Sequence, residues 1–296
     1  MTVVVGYIPH KGGRGSLDLG IQLAHGLGES LLVVTVVPRQ WSTPSLAKVD
    51  AEYAAFARQL GEQAEAQARK YLTATTVSVE TEYRVVTGRS VSAALLAAVE
   101  ECGASMLVLG SSTDGAIGRI VLGTTTDKLL HSAPVPVALS PRGFRSTAAD
   151  GFCRVTCAYS DSVIAPRVVE WSVDFAARLD ARARIASFGV RGSSMYPPPV
   201  GLSAEDSVLD SWLEQASASQ AALRAENLIG SDVETVTATG PGWAESLSGV
   251  EWEVDELLVI GSSSVGPVAR VFLGSRAAKL IRHSPVPVVV IPRRAV

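Results

Sequence analysis

Three cysteines in 296 residues, Cys102, Cys153 and Cys157, are too few and too unevenly spaced for a disulfide framework. No CxxC pair occurs, which removes the usual scaffold of a cysteine-based zinc site. Their odd number fits a reducing compartment, and buried filler is the expected role of all three, with Cys153 and Cys157 on one face of a strand. Long apolar runs are missing too. Runs such as "LLVV" at 31–34 fall far short of the ~20 residues that cross a bilayer. No basic stretch precedes the apolar start of "MTVVVGYIPH", so no signal peptide is expected and the cytoplasm is the expected location. A basic excess is also absent, with 26 Lys and Arg against 29 Asp and Glu. The first 150 residues hold 13 of each sign, and the rest hold 13 basic and 16 acidic. A binder of the phosphate backbone needs a cationic surplus, so nucleic acid is not an expected partner. No HExxH, no Ser-His-Asp or Cys-His arrangement and no motif of paired carboxylates occurs. The chain is therefore expected to be neither an enzyme nor a metalloprotein.

What the chain does contain, it contains twice. "HSAPVPVAL" at 131–139 returns as "RHSPVPVVV" at 282–290. Pro134 and Pro285, Gly110 and Gly261, and Gly123 and Gly274 are each 151 positions apart, and Gly88 and Gly240 are 152 apart. A period this long exceeds the ~20–50 residues of solenoid units and marks a duplicated domain. The expected boundaries are domain 1 at 1–142, a linker at 143–152 and domain 2 at 153–296. Each half is long enough to bury a core of its own.

Within each half, short β-branched runs alternate with helical patterns. In the first, strands are expected at 2–8, 30–37, 77–86, 106–110 and 136–140. Helices are expected at 16–27, at 44–72 behind Pro44, at 90–101, and from Gly123 onward. In the second, strands are expected at 154–159, 183–190, 233–239, 256–261 and 287–291. Its helices are expected at 165–180, 203–229, 242–250 and 274–283, with Ser203 and Asp206 as a cap and "MYPPPVG" (195–201) as a stiff loop. The alternation implies α/β architecture: two tandem five-stranded parallel sheets, Rossmann-like, with helices on both faces. The alternating third strand suits a sheet edge. So does the last, because Pro136 and Pro287 cannot donate to a ladder.

"GSSTDGAIGRIVLGTTT" (110–126) and "GSSSVGPVARVFLGSRA" (261–277) each join a strand to a helix. A glycine-spaced loop that runs into a helix N-terminus suits an anion, and open α/β sheets place ligands there. The P-loop lysine is missing, and Asp18 stands where a dinucleotide loop needs its third glycine.

These two segments, the Gly-Ser strand ends, the "LGT" and "LGS" helix openings and the "HS(A)PVPV" endings resemble the universal stress protein family in tandem form. The resemblance covers almost the whole chain. It implies the adenine-nucleotide alpha hydrolase-like fold and, in many members, ATP held by G-2X-G-9X-G-(S/T), while others lack nucleotide. Carried over, the pattern places nucleotide contacts at Gly110, Thr113, Gly123 and Thr124, and at Gly261, Ser264, Gly274 and Ser275. Thr113 and Ser264 replace the pattern's middle glycine. Ile8, and Ser160 with Asp161 one place late, stand where ATP-binding members carry an aspartate. The implied function is stress-response binding or sensing with weak or vestigial ATP binding. The alternatives are a nucleotide-free interaction module acting through dimer surfaces and, third, a slow ATP hydrolase. The resemblance also implies an intrachain pseudo-dimer through the final strands, with a homodimer as the second form of pairing.

Other residues have two readings each. His131 and His283 complement helix dipoles or act chemically. His10, Lys11 and Arg14 form a solvated loop or meet phosphate. Arg119 and Arg270 pair with phosphate or with a carboxylate. Trp171, Trp212 and Trp243 are expected in the core.

Overall fold

The computed structural model describes residues 1–9, 13–38, 48–112, 115–145, 151–191, 202–262 and 274–292, with side chains omitted at 48–51 and 202–208. The chain divides into unit 1, Met1–Gly151, and unit 2, Phe152–Val296.

Unit 1 contains β1 (Thr2–Gly6), α1 (Gly13–Leu27), β2 (Ser30–Pro38), α2 (Lys48–Thr73), β3 (Thr81–Gly88), α3 (Val91–Glu101), β4 (Met106–Gly110), α4 (Thr124–Ser132) and β5 (Val137–Ser140). Its strands run in the order β3-β2-β1-β4-β5, every pair parallel. The central strands are continuous apolar runs because helices cover both faces. Val3, Val4, Val5, Leu107 and Val108 are fully buried. β3 alternates intermediate and exposed positions, as an edge strand should.

The order reverses between β1 and β4. Right-handed crossovers then put α1 and α2 on one face and α3 and α4 on the other, and each pair is in contact. β3 begins at Thr81 rather than at 77. Its neighbour β2 begins at Ser30, and Leu31 pairs with Thr81, so residues 77–80 have almost no strand to pair with. The helix expected from Pro44 is described from Lys48. Ser90 caps α3 by accepting from the Ala93 N–H at 3.4 Å.

Unit 2 repeats the plan with β6 (Arg154–Ala158), α5 (Ala165–Arg178), β7 (Arg182–Val190), α6 (Leu202–Ala225), β8 (Glu234–Gly240), α7 (Trp243–Ser248), β9 (Glu256–Gly261), α8 (Ser275–His283) and β10 (Val288–Ile291). The parallel order is β8-β7-β6-β9-β10. Ser203 lies inside the first turn of α6, since the helix is already formed at Leu202. It is therefore not the cap, and "MYPPPVG" lies outside the described residues.

The cysteines correct one expectation. Only Cys157 is a buried filler. Cys102 and Cys153 are half-buried, and Cys153 precedes β6. Its thiol donates toward a Glu253 carboxylate oxygen at 3.1 Å. The tryptophans correct another, because Trp171, Trp212 and Trp243 are all only half-buried. Trp171 stacks on Phe175 at 4.6 Å between ring centroids. Trp212 covers Gly189, where a Cβ would come within 2.6 Å of the indole.

Candidate functional site

Two strand ends and one helix start build the cleft of unit 1. β1 and β4 diverge at the point of order reversal and leave a crevice of about 430 Å³ beyond Gly6 and Gly110. Tyr7, Ile8, Ser16, Val34, Leu95, Ser112, Gly123 and Thr124 line it. Gly13 turns the chain into α1 against the floor. A Cβ there would stand 2.5 Å from the Ile8 carbonyl oxygen and 2.8 Å from the Tyr7 ring, so only glycine fits.

The glycine-spaced segment folds back on itself. The Ser112 N–H donates to the Val121 carbonyl at 2.9 Å, and the Val121 N–H donates to Ser111 Oγ at 2.8 Å. Farther out, the Gly118 N–H donates to the Arg142 carbonyl and the Arg142 N–H to the Arg119 carbonyl, at 2.8 and 3.0 Å. Arg142 Nη1 also bonds the Gly115 carbonyl. The buried Ile120 pins the segment from within.

At its end Gly123 is the N-cap of α4, extended at φ −80° and ψ 168°, with no side-chain cap. Amides of the first turn are thus left without a side-chain acceptor, beside the hydroxyls of Thr124, Thr125 and Thr126. Asp127 closes the same turn, which opposes an anion.

The cleft of unit 2 lies beyond β6 and β9 and measures about 310 Å³. Tyr159, Ser160, Ser162, Phe188 and Trp243 line it, together with Gly261, Ser262, Gly274, Ser275 and Arg276. Gly274 is again an extended N-cap without a side-chain cap. The first turn of α8 has no acid, and Arg276 brings a cation instead. Both crevices fall near the lower end of the range for small-molecule sites, ~300–1,000 Å³. Burial raises the phenol pKa of Tyr7 in the first cleft, against the pull of Arg14, and raises that of Tyr159 in the second, where Asp161 adds to it.

Of the expected contacts, Gly110, Gly123 and Thr124 meet in one cleft, and Gly261, Gly274 and Ser275 meet in the other. Thr113 and Ser264 lie outside the described residues, as do His10, Lys11 and Arg270. Ile8 lines the first cleft and is 49% exposed. Ser160 lines the second, whereas Asp161 does not.

His131 lies in the last turn of α4 with Nδ1 at 2.6 Å from the Asp127 carbonyl oxygen, and it is not part of the cleft lining. His283 ends α8, also outside the lining. Arg119 is placed in the turn with Ala116, again away from the lining. Arg14 faces a different hollow from the glycine-loop cleft.

Sequence reasoning missed two residues of the second cleft. Arg276 was visible as a cation directly behind Gly274-Ser275. Trp243 was not, because only the packing of α7 brings its ring to the crevice. Among the described residues no cluster of His, Cys, Asp and Glu could hold a metal ion, and no helix is long and apolar enough to cross a membrane.

The sequence model of the universal stress protein family matches residues 1–141 and 151–292. A universal stress protein of Mycobacterium tuberculosis is 45% identical over 292 residues, which is 99% of this chain and 100% of that protein. Among solved structures, a universal stress protein from Archaeoglobus fulgidus aligns with 99% of this chain and 98% of its own, at 19% identity and a TM-score of 0.64. Another, a universal stress protein in complex with cAMP, aligns with 37% of this chain and 75% of its own, at 25% identity and a TM-score of 0.30.

Proposed function

This chain belongs to the universal stress protein family, and on that premise we propose that it is a stress-response binding and sensing module that takes ATP weakly at its glycine-loop clefts, the second more tightly than the first. The observation that carries this reading is the pair of uncapped helix starts, Gly123 and Gly274, each set in a crevice at the carboxyl ends of the strands. The ranking rests on the first helical turns. Asp127 repels phosphate in one, while Arg276 attracts it in the other. Ser160 offers a hydroxyl where Ile8 offers none. No residue is assigned a catalytic role, so the proposed action is binding rather than turnover.

Titration with ATP tests the ranking, with Trp243 as the reporter of the second cleft. Saturation at 100 times Kd should add ~2.7 kcal/mol to the stability of the binding unit. Gly123→Val is sterically tolerable, since a Cβ would meet only Ser112 Cβ at 3.9 Å. Gly274→Val should abolish most binding and Gly123→Val little of it. The reverse order overturns the ranking, and an ATP-blind protein overturns the nucleotide reading. Phosphate release above background would instead favour a slow hydrolase.

A second reading has its own support. β5 and β10 are the last strands of their units' orders, short and apolar, and an open apolar edge is a liability. We propose that the two copies pair through "VPVALS" and "VPVVVI" as a pseudo-dimer within one chain, the tether raising their effective concentration. A protease site inserted between residues 146 and 150 tests it. Halves that co-elute after cleavage support pairing, and halves that separate at once end it.

A further inference from the structure

Unit 1 has a second hollow, about 810 Å³, on the opposite face of the sheet from α3 and α4. α1 supplies Gly13 and Arg14, and α2 supplies Gln67, Lys70 and Tyr71. Ile117 and the segment after β5, with Arg142 and Arg145, complete the wall. Tyr7 and Gly13 line both this hollow and the glycine-loop cleft and so form the partition between them.

Among the described residues four cations face the hollow and no carboxylate lines it, in a chain whose net charge is −3. Arg14 lies over the Tyr71 ring at 5.6 Å, and Arg142 holds the Gly115 carbonyl. None of the described ion pairs involves Arg14, Lys70 or Arg142. Arg145 approaches an acid, Asp18 at 3.5 Å, and the charge of Arg14 acts on the same carboxylate.

That acid sits behind the wall, not on it. Asp18 is buried and accepts the Tyr71 hydroxyl at 2.8 and 2.9 Å. It thereby fixes the ring on which Arg14 is stacked. Like charges that line one hollow repel one another, and an anion bound among them offsets that repulsion. Guanidinium forks suit phosphate oxygens in pairs, and the volume exceeds what a single phosphate fills.

We propose that this hollow is a second ligand site, distinct from the glycine-loop clefts, for a small molecule carrying a chain of phosphates. Free polyphosphate and the phosphate tail of a nucleotide share that chemistry.

Calorimetric titration of the full chain with inorganic tripolyphosphate tests it. The double variant Arg14→Gln with Lys70→Gln removes two exposed cations that make no described ion pair. It should keep the fold and weaken tripolyphosphate binding at least tenfold, with a shallower salt dependence. Arg69→Gln lies off the wall, on Glu65 at 2.8 Å, and should change nothing. A parallel titration with ATP separates the sources: an equal loss there assigns the site to a nucleotide tail, and an unchanged ATP affinity assigns it to free polyphosphate. A native chain blind to tripolyphosphate overturns the proposal. So does a double variant that binds as well as the native chain, or binding abolished by Gly123→Val or Gly274→Val.

Discussion

At the amino ends of their sheets, the two units solve the same problem with opposite chemistry. In unit 2 a fully buried Glu256 sits between two arginines. One carboxylate oxygen accepts from Arg184 Nη2 at 2.6 Å and from the Thr156 hydroxyl, and the other accepts from Arg154 Nη2 at 2.7 Å and the Glu253 N–H at 3.0 Å. The ring of Trp252 lies 5.3 Å from the Arg184 guanidinium. Burial lowers the Arg184 pKa, against Glu256 and Glu234, yet an arginine stays charged across the physiological range.

The repeat offset puts Thr2, Val4, Leu32 and Ser105 at the corresponding places of unit 1. There Val4 and Leu32 are simply buried, and Ser105 bonds Glu29. One strand order is built on either floor. Desolvating such charges costs about as much as their attraction returns, so the network is no prerequisite for the fold. Once present, however, it cannot lose one member.

The largest expected effect follows from that asymmetry. Glu256→Ala takes from two buried guanidinium groups their buried counter-ion, leaving Arg154 the half-exposed Glu253 and Glu234 and leaving Arg184 Glu234 at 3.9 Å, and should cost roughly 3 kcal/mol in urea unfolding of unit 2. The matching Ser105→Ala in unit 1 should cost about 1 kcal/mol. Transplanting the whole floor of unit 1 (Arg154→Thr, Thr156→Val, Arg184→Leu and Glu256→Ser together) should recover at least half of the single-variant loss. If the fourfold variant is the least stable, the network supports the fold outright and the comparison fails.

The clefts supply the next contrast. Ile8→Asp with Thr113→Gly gives the first cleft an acceptor and a backbone free of a β-branched side chain. A charge-assisted hydrogen bond gained in a partly dry crevice is worth about 1.5–3 kcal/mol, so ATP affinity there should rise tenfold or more. Ile8 is half exposed, so the new carboxylate carries little cost in folding. Unchanged affinity would mean that the first cleft is closed by the Asp127 charge or by its walls.

The smallest effect concerns the thiols. Burial, then the hydrogen bond to Glu253 and its charge, push Cys153 up to about 11. Burial alone pushes Cys157 up to about 11, against a hydrogen bond with Ser172. Both are therefore protonated at neutral pH and slow toward alkylating agents. Glu253→Gln removes the charge beside Cys153, so its pKa falls and alkylation at pH 8 should speed up several-fold. Cys157 should not respond. A Cys153 rate that stays flat would show that burial is the whole cause.

The folded-state shift also has a sign in stability. A thiol pKa raised above its unfolded value means that the folded chain keeps its proton longer. That contribution is complete below about pH 9 and is lost as pH rises toward 11.

Much was legible in the chain itself. The spaced prolines and glycines announced two copies, and the β-branched runs announced parallel strands, because those patterns follow from backbone geometry that every sequence obeys. Gly110, Gly123, Gly261 and Gly274 were legible for the same reason. Strand limits were less so, since β3 starts where β2 gives it a partner, not where its own alternation begins. Arg14 was legible as a candidate for phosphate, but Trp243 and the cations Lys70, Arg142 and Arg145 were not legible as lining groups, because only tertiary packing brings them to their hollows. The buried floor of unit 2 was hidden most deeply. Arg154, Arg184 and Glu256 look like ordinary surface charges in sequence, and only the register β7-β6-β9 sets all three side by side, out of water, where each must answer the others' charge.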